Sequence, residues 1–99
     1  MFSHIVIFWT DPHNFVAADE LLAAANQLLK NIPDIVEFRA GKMVKSNRPV
    51  VEQSYQVALN IVFADKHAEH EYQSHPQHLE FSENFVKRLV KKVVVYDFE

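Results

Sequence analysis

An α+β ferredoxin-like fold is predicted, a four-stranded antiparallel sheet with its helices on one face. Three observations carry this. β-branched and aromatic runs alternate with helical periodicities in the order βαββαβ. No linker, repeat or low-complexity segment interrupts that order, and 99 residues support one core, so residues 1–99 are expected to form a single domain. The strands also supply apolar residues for both faces of the sheet, which the helices alone cannot cover.

The first strand is expected from Phe2 to Thr10, where β-branched and aromatic residues run up to Asp11-Pro12. Asn14 is placed to cap a helix that reaches about Asn31 and cannot pass Pro33. Leu21, Ala25, Leu28 and Ile32 line one face of it, and Asp19, Glu20, Gln27 and Lys30 the other. A second strand is read from Ile35 to Val44, with Gly41, the chain's one glycine, marking a bulge or a close backbone approach. Lys45 to Gln53 is polar and reads as a hairpin loop. In the third strand Tyr55, Val57, Leu59, Ile61 and Phe63 share one face.

A short polar helix opens at Ala64-Asp65 and ends near Tyr72. His75-Pro76 breaks it, because proline drives the preceding residue out of the helical region while itself suiting a first helical position. The helix that follows carries Phe81, Phe85 and Leu89 at four-residue spacing, and Val93 to Phe98 is the last strand. Val93-Val94-Val95 and the Ile5–Trp9 run lack the clean alternation of strands wet on one side. A second copy packed sheet to sheet is the simplest cover for the second face, with Val93 to Val95 losing exposure on pairing.

Composition narrows the function classes. The net charge is -3 and no basic run exceeds Lys91-Lys92, which argues against nucleic acid as a partner. With no cysteine there are no disulfides, thiolate metal sites or thiol nucleophiles. A single glycine cannot build a phosphate-binding loop, so no nucleotide cofactor is expected, nor any other. No apolar stretch approaches the roughly 18–20 residues that span a bilayer. Ile5-Val6-Ile7-Phe8-Trp9 is too short for a signal-peptide core, and the expected location is cytoplasmic.

The stretch Tyr72-Gln73-Ser74-His75-Pro76-Gln77-His78 is the most informative for chemistry. His78 falls in the first turn of a helix, whose free N–H groups disfavour an imidazolium and bias the ring toward a proton acceptor. Tyr72 offers an O–H donor to a carbonyl or phenol oxygen. Together they suit proton transfer beside a carbonyl, or else their polar tips tie the broken helix to the sheet. His75 is expected to cap or pack. His4, among apolar neighbours, is either a satisfied core histidine or a cavity-lining group. His67, His70 and Glu71 fall at helical spacings, but with Asp65, Lys66 and Glu69 around them they read as a solvated face rather than a metal site. His70-Glu71 and His75 miss the zinc-protease spacing by one residue. Trp9 and the phenylalanines at 8, 38, 63, 81 and 85 are candidates to line an apolar cavity.

The pattern Tyr72-x-x-His75-Pro76-x-His78-x-x-Phe81 resembles the signature of the stress-responsive A/B barrel domain, or Dabb, family. The resemblance spans nearly the whole chain, from His4-Ile5-Val6 through Ile32-Pro33 and Gly41 to Tyr96-Asp97-Phe98. It implies a dimeric α+β barrel in which two four-stranded sheets close on each other. Most members of the family have no assigned activity, and a plant branch holds a cofactor-independent polyketide cyclase. In that branch the tyrosine and second histidine of the motif form the acid/base pair, which would make Tyr72 and His78 catalytic, with His4 in the same cavity. A further histidine on strand three of the cyclases is Val57 here, a departure from the cyclase pattern. The resulting expectation is a homodimer with an apolar small-molecule cavity performing cofactor-independent proton transfer or polyketide-cyclase-like chemistry. The alternatives are a non-enzymatic binding or assembly protein, and a cofactorless oxygenase by analogy of fold.

Overall fold

The computed structural model describes all 99 residues. Its elements are β1 (Phe2–Thr10), α1 (Phe15–Leu28), β2 (Ile35–Lys42), β3 (Val57–Phe63), α2 (Lys66–Ser74), α3 (Pro76–Phe81) and α4 (Lys87–Leu89), then β4 (Val90–Phe98). A π-helical turn at Ser82–Val86 joins α3 to α4. The strands lie in the order β2-β3-β1-β4, every neighbour antiparallel. This is the α+β ferredoxin-like arrangement read from the sequence. The molecule is 17 Å across its thinnest axis, the depth of one helix layer on one sheet.

Strand alternation divides the sheet cleanly. Phe2, His4, Val6, Phe8 and Thr10 of β1 are buried, and so are Val57, Leu59, Ile61 and Phe63 of β3. These residues meet Leu21, Ala25, Leu29 and Ile32 from α1 and the residues that follow it, and the six largest fully buried side chains all belong to this layer. Burial of each such aliphatic side chain stabilises the fold by roughly 1.5–3 kcal/mol.

β1 and β4 are paired from Ser3 opposite Phe98 to Phe8 opposite Val93. Residues directly opposite share a face, so Val93, Val95 and Asp97 lie on the helix side with Phe8, Val6 and His4. Val94, Tyr96 and Phe98 lie on the open side with Ile7, Ile5 and Ser3. The Val93–Val95 run is therefore split between the two faces: Val94 belongs to the open face, and Val93 and Val95 do not.

Several boundaries differ from the expectation. Asn14 occupies the position before α1, but its side chain makes no capping bond; the Asn14 carbonyl accepts from Ala17 N–H instead. The helix closes at Leu28, short of Asn31. Gly41 has no positive φ, and a Cβ there would meet nothing within 4 Å, so it marks neither a bulge nor a close approach. The register shifts fall elsewhere, between Ile35 and Glu37 in β2 and opposite Trp9 and Thr10 in β4. The one left-handed residue is Asp34, with φ 69°, which turns the chain into β2.

Candidate functional site

His75-Pro76 builds the site. His75 adopts an extended conformation (φ -64°, ψ 138°), ending α2 and serving as the N-cap of α3. Its Nδ1 accepts from the Gln77 N–H at 3.1 Å, and its own N–H donates to the Tyr72 carbonyl at 3.1 Å. The capping role expected of His75 is thus met by the ring itself. The break folds α3 back so that Tyr72, from the last part of α2, and His78, the third residue of α3, face each other. Their ring centroids are 4.6 Å apart at an interplanar angle of 60°.

His4 reaches the same place from the sheet. Its ring lies edge-on to Tyr72 at 6.0 Å and to Phe63 at 6.4 Å. Its Nδ1 is 2.6 Å from Asp97 Oδ1 on β4 and 3.9 Å from Glu69 Oε2 on α2. His4 is therefore both buried and at a cavity wall, with one nitrogen engaged by a carboxylate that fixes the ring's orientation.

Tyr72, His78 and His4 all line one cavity of about 190 Å³ between the sheet and the α3 layer. Its apolar wall includes Val6, Phe8, Phe81 and Val86, together with Val93 and Val95 of β4. The last two are 47% and 46% exposed, so the cavity opens along the β4 edge. At this volume it falls below the roughly 300–1,000 Å³ of sites for drug-sized molecules and suits a small ligand. Of the aromatic residues proposed to line a cavity, Phe8 and Phe81 do so. Trp9 points to the opposite side of the sheet, where its indole N–H donates to Ser54 Oγ at 2.9 Å and the Lys92 ammonium sits 4.7 Å over its ring. Val57 is fully buried opposite Phe8, leaving no polar group from β3 at that position.

The two facing rings are pushed in opposite directions. Burial raises the Tyr72 hydroxyl above the usual phenol range, the charge of Glu69 adds to the effect, and no hydrogen bond offsets it. Burial also lowers His78 below the ordinary imidazole value, with the proximity of His4 contributing in the same direction. The Gln73 carbonyl and Glu69 act the other way, but Nδ1 of His78 is sealed from solvent with no well-formed hydrogen bond. A neutral His78 was expected from the helix start; the main physical cause is desolvation. The pair is thus a hydroxyl held protonated beside an imidazole held neutral, the combination that can donate to an oxygen and accept a proton.

Two groups at the site escaped the sequence reading. Asp97 pairs with His4, a partnership implied once the first and last strands are set antiparallel with their ends level. Glu69 was assigned to the solvated face of α2, yet its side chain is only 12% exposed. It shares the buried side of the helix with Ala68 and Tyr72, and Gln73 Nε2 donates to its Oε2 at 2.5 Å. The spacing of three between Glu69 and Tyr72 was the available signal. His67 and Glu71 do lie on the exposed face, 3.8 Å apart.

A family model for the stress responsive A/B barrel domain matches residues 2–99. A stress-response A/B barrel domain-containing protein of Arabidopsis thaliana is 29% identical over 97 residues, covering 98% of this chain and 84% of that protein. Among solved structures, a dimeric ferredoxin-like protein of unknown function from Thermobifida fusca superposes with a TM-score of 0.79 at 17% identity, over 98% of this chain and 88% of that one. The hydroxynitrile lyase of Passiflora edulis superposes with a TM-score of 0.74 at 22% identity, over 98% of this chain and 90% of its own. From its second residue to its last, this chain belongs to the stress responsive A/B barrel domain family.

Proposed function

We propose that the protein is a homodimer, joined through the open faces of its sheets, that catalyses cofactor-independent proton transfer on a small apolar carbonyl compound in the cavity of each copy. The observation that carries the chemistry is the 4.6 Å approach of the Tyr72 and His78 rings at a mostly apolar cavity wall. His78 takes a proton from the carbon beside the carbonyl, leaving an enolate, or from the hydroxyl of a hydroxynitrile as its carbon–nitrile bond breaks to leave the carbonyl and cyanide. Tyr72 donates a hydrogen bond to the oxygen on which charge develops or is held. His4, oriented by Asp97, packs edge-on against Tyr72 and lines the same cavity. The imidazolium gives its proton to the enolate carbon or to the departing cyanide, so the cycle closes without a cofactor.

The dimer is supported by the open face itself, where Ile5, Ile7, Trp9, Val94, Tyr96 and Phe98 form an apolar surface. Tyr96 and Phe98 remain 61% and 58% exposed in a lone copy. The Thermobifida fusca neighbour, a dimeric protein, and the Passiflora edulis neighbour, a hydroxynitrile lyase, support this reading.

The test is deuterium uptake at the α-carbon of small aromatic ketones, followed by NMR, alongside cleavage of an aromatic hydroxynitrile. The wild type is expected to exceed buffer in at least one of these, with His78→Ala reduced by about 10²–10⁴-fold. Tyr72→Phe should slow turnover while leaving ligand binding in place. Rates at the buffer level across the panel, with no ligand perturbing the His78 ring, would instead assign the protein to non-enzymatic binding or assembly.

A further inference from the structure

Glu69 places a largely buried carboxylate next to the cavity lining, beside His4 and Gln73. It lies on the buried side of α2 with Tyr72, within 3.9 Å of His4 Nδ1, whose other carboxylate neighbour is Asp97 at 2.6 Å. His4 is thus flanked by two carboxylates. If His4 is protonated the three groups sum to one negative charge, and if it is neutral they sum to two. Either way the sign is the same. Neither carboxylate lines the cavity itself, and Asp97, 42% exposed, is screened by water. Glu69 is only 12% exposed, so its charge is poorly screened, and no lysine or arginine lines the cavity to cancel it. The only side-chain donor to Glu69 is the amide of Gln73, which is neutral and itself lines the cavity.

We infer that Glu69 is a specificity-determining residue, and that the cavity's substrates are uncharged carbonyl compounds lacking a carboxylate or phosphate group. This rests on the small-molecule role proposed above for the cavity and narrows it to a substrate class. An anionic ligand would lose its hydration on entering an apolar pocket and find a negative cluster around His4 in place of a cation. A neutral carbonyl loses little hydration and gains the Tyr72 hydroxyl. The charge of Glu69 acts on both members of the facing pair, raising Tyr72 and opposing the lowering of His78, so it is felt where a substrate would sit.

Acetophenone and benzoate separate the possibilities, because they match closely in size and shape and differ in charge. Binding of each is measured by the shift of the His78 ring resonances in the wild type and in Glu69→Gln. The wild type should bind acetophenone at least about tenfold more tightly than benzoate. Glu69→Gln should close most of that gap by tightening benzoate, with acetophenone changed by less than about twofold. Equal wild-type affinities for the two would overturn the assignment of specificity while leaving a small-molecule site in place. An undiminished gap in a folded Glu69→Gln protein would transfer the effect away from Glu69 and overturn its role. If neither compound perturbs His78 at any concentration, the small-molecule role of the cavity fails, and the specificity assignment fails with it.

Discussion

His78 couples the site to the stability of the fold. Its native value lies below the 6.5 of an unperturbed imidazole, because burial penalises the charged ring. The unfolded chain therefore binds more protons than the native one between these two values, and stability must rise with pH across that window. Above 6.5 the contribution is complete; as pH falls through the native value it is lost. Urea unfolding of the wild type and of His78→Phe at a series of pH values is expected to show a steeper acid-side decline in the wild type. Parallel curves would mean that the ring is solvated in the native state. A second expectation concerns His4. Asp97→Asn keeps the shape but removes the charge beside Nδ1, so turnover should fall while secondary structure by circular dichroism is unchanged. Loss of fold would instead make the pair a structural tie. At this scale Tyr72, His78 and His4 could be named from residue type and motif. Asp97 and Glu69 could not, since their importance comes from strand register and from which side of a short helix is buried.

Among the elements, the broken second helix contributes most to the site. Asp65 caps α2, its carboxylate accepting from Ala68 N–H at 2.9 Å. Asp65→Ala should cost about 0.5–2 kcal/mol of unfolding free energy and loosen the helix that carries Tyr72 and Glu69. Leu21, fully buried on α1, sets the upper end of the scale: Leu21→Ala is expected to cost about 2–5 kcal/mol by the same denaturant measurement. The π-helical turn at Ser82–Val86 has a different place in the design. It accommodates a residue beyond the ordinary helical repeat just where Phe81, Ser82 and Val86 meet the cavity. Its presence had no signature in the hydrophobic spacing, which reads Phe81, Phe85 and Leu89 as one uniform helix. The strands were legible because alternation and β-branching act locally; β3 is bounded almost as its alternation implied. Asn14 and Gly41 misled for the opposite reason. Each has an intrinsic preference, for capping and for unusual backbone, that its surroundings do not use.

For the molecule as a whole, the split of β4 between two faces makes the proposed pairing testable in a discriminating way. Val94→Asp places a charge on the open face and should yield a monomer by analytical ultracentrifugation. Val95→Asp faces the cavity and should leave the dimer intact while blocking apolar ligands. A native dimer from Val94→Asp would rule out the sheet-to-sheet interface.

The level pairing of β1 with β4, which sets Ser3 opposite Phe98 and His4 opposite Asp97, also has a mechanical consequence. The two ends of the chain leave the sheet side by side, so a force pulling them apart opens the ladder one rung at a time, as a zipper opens, instead of loading all its bonds together in shear. The His4–Asp97 rung is among the first to part. Tension at the termini should therefore dismantle the cavity wall at low force, before the β2–β3 half of the sheet gives way.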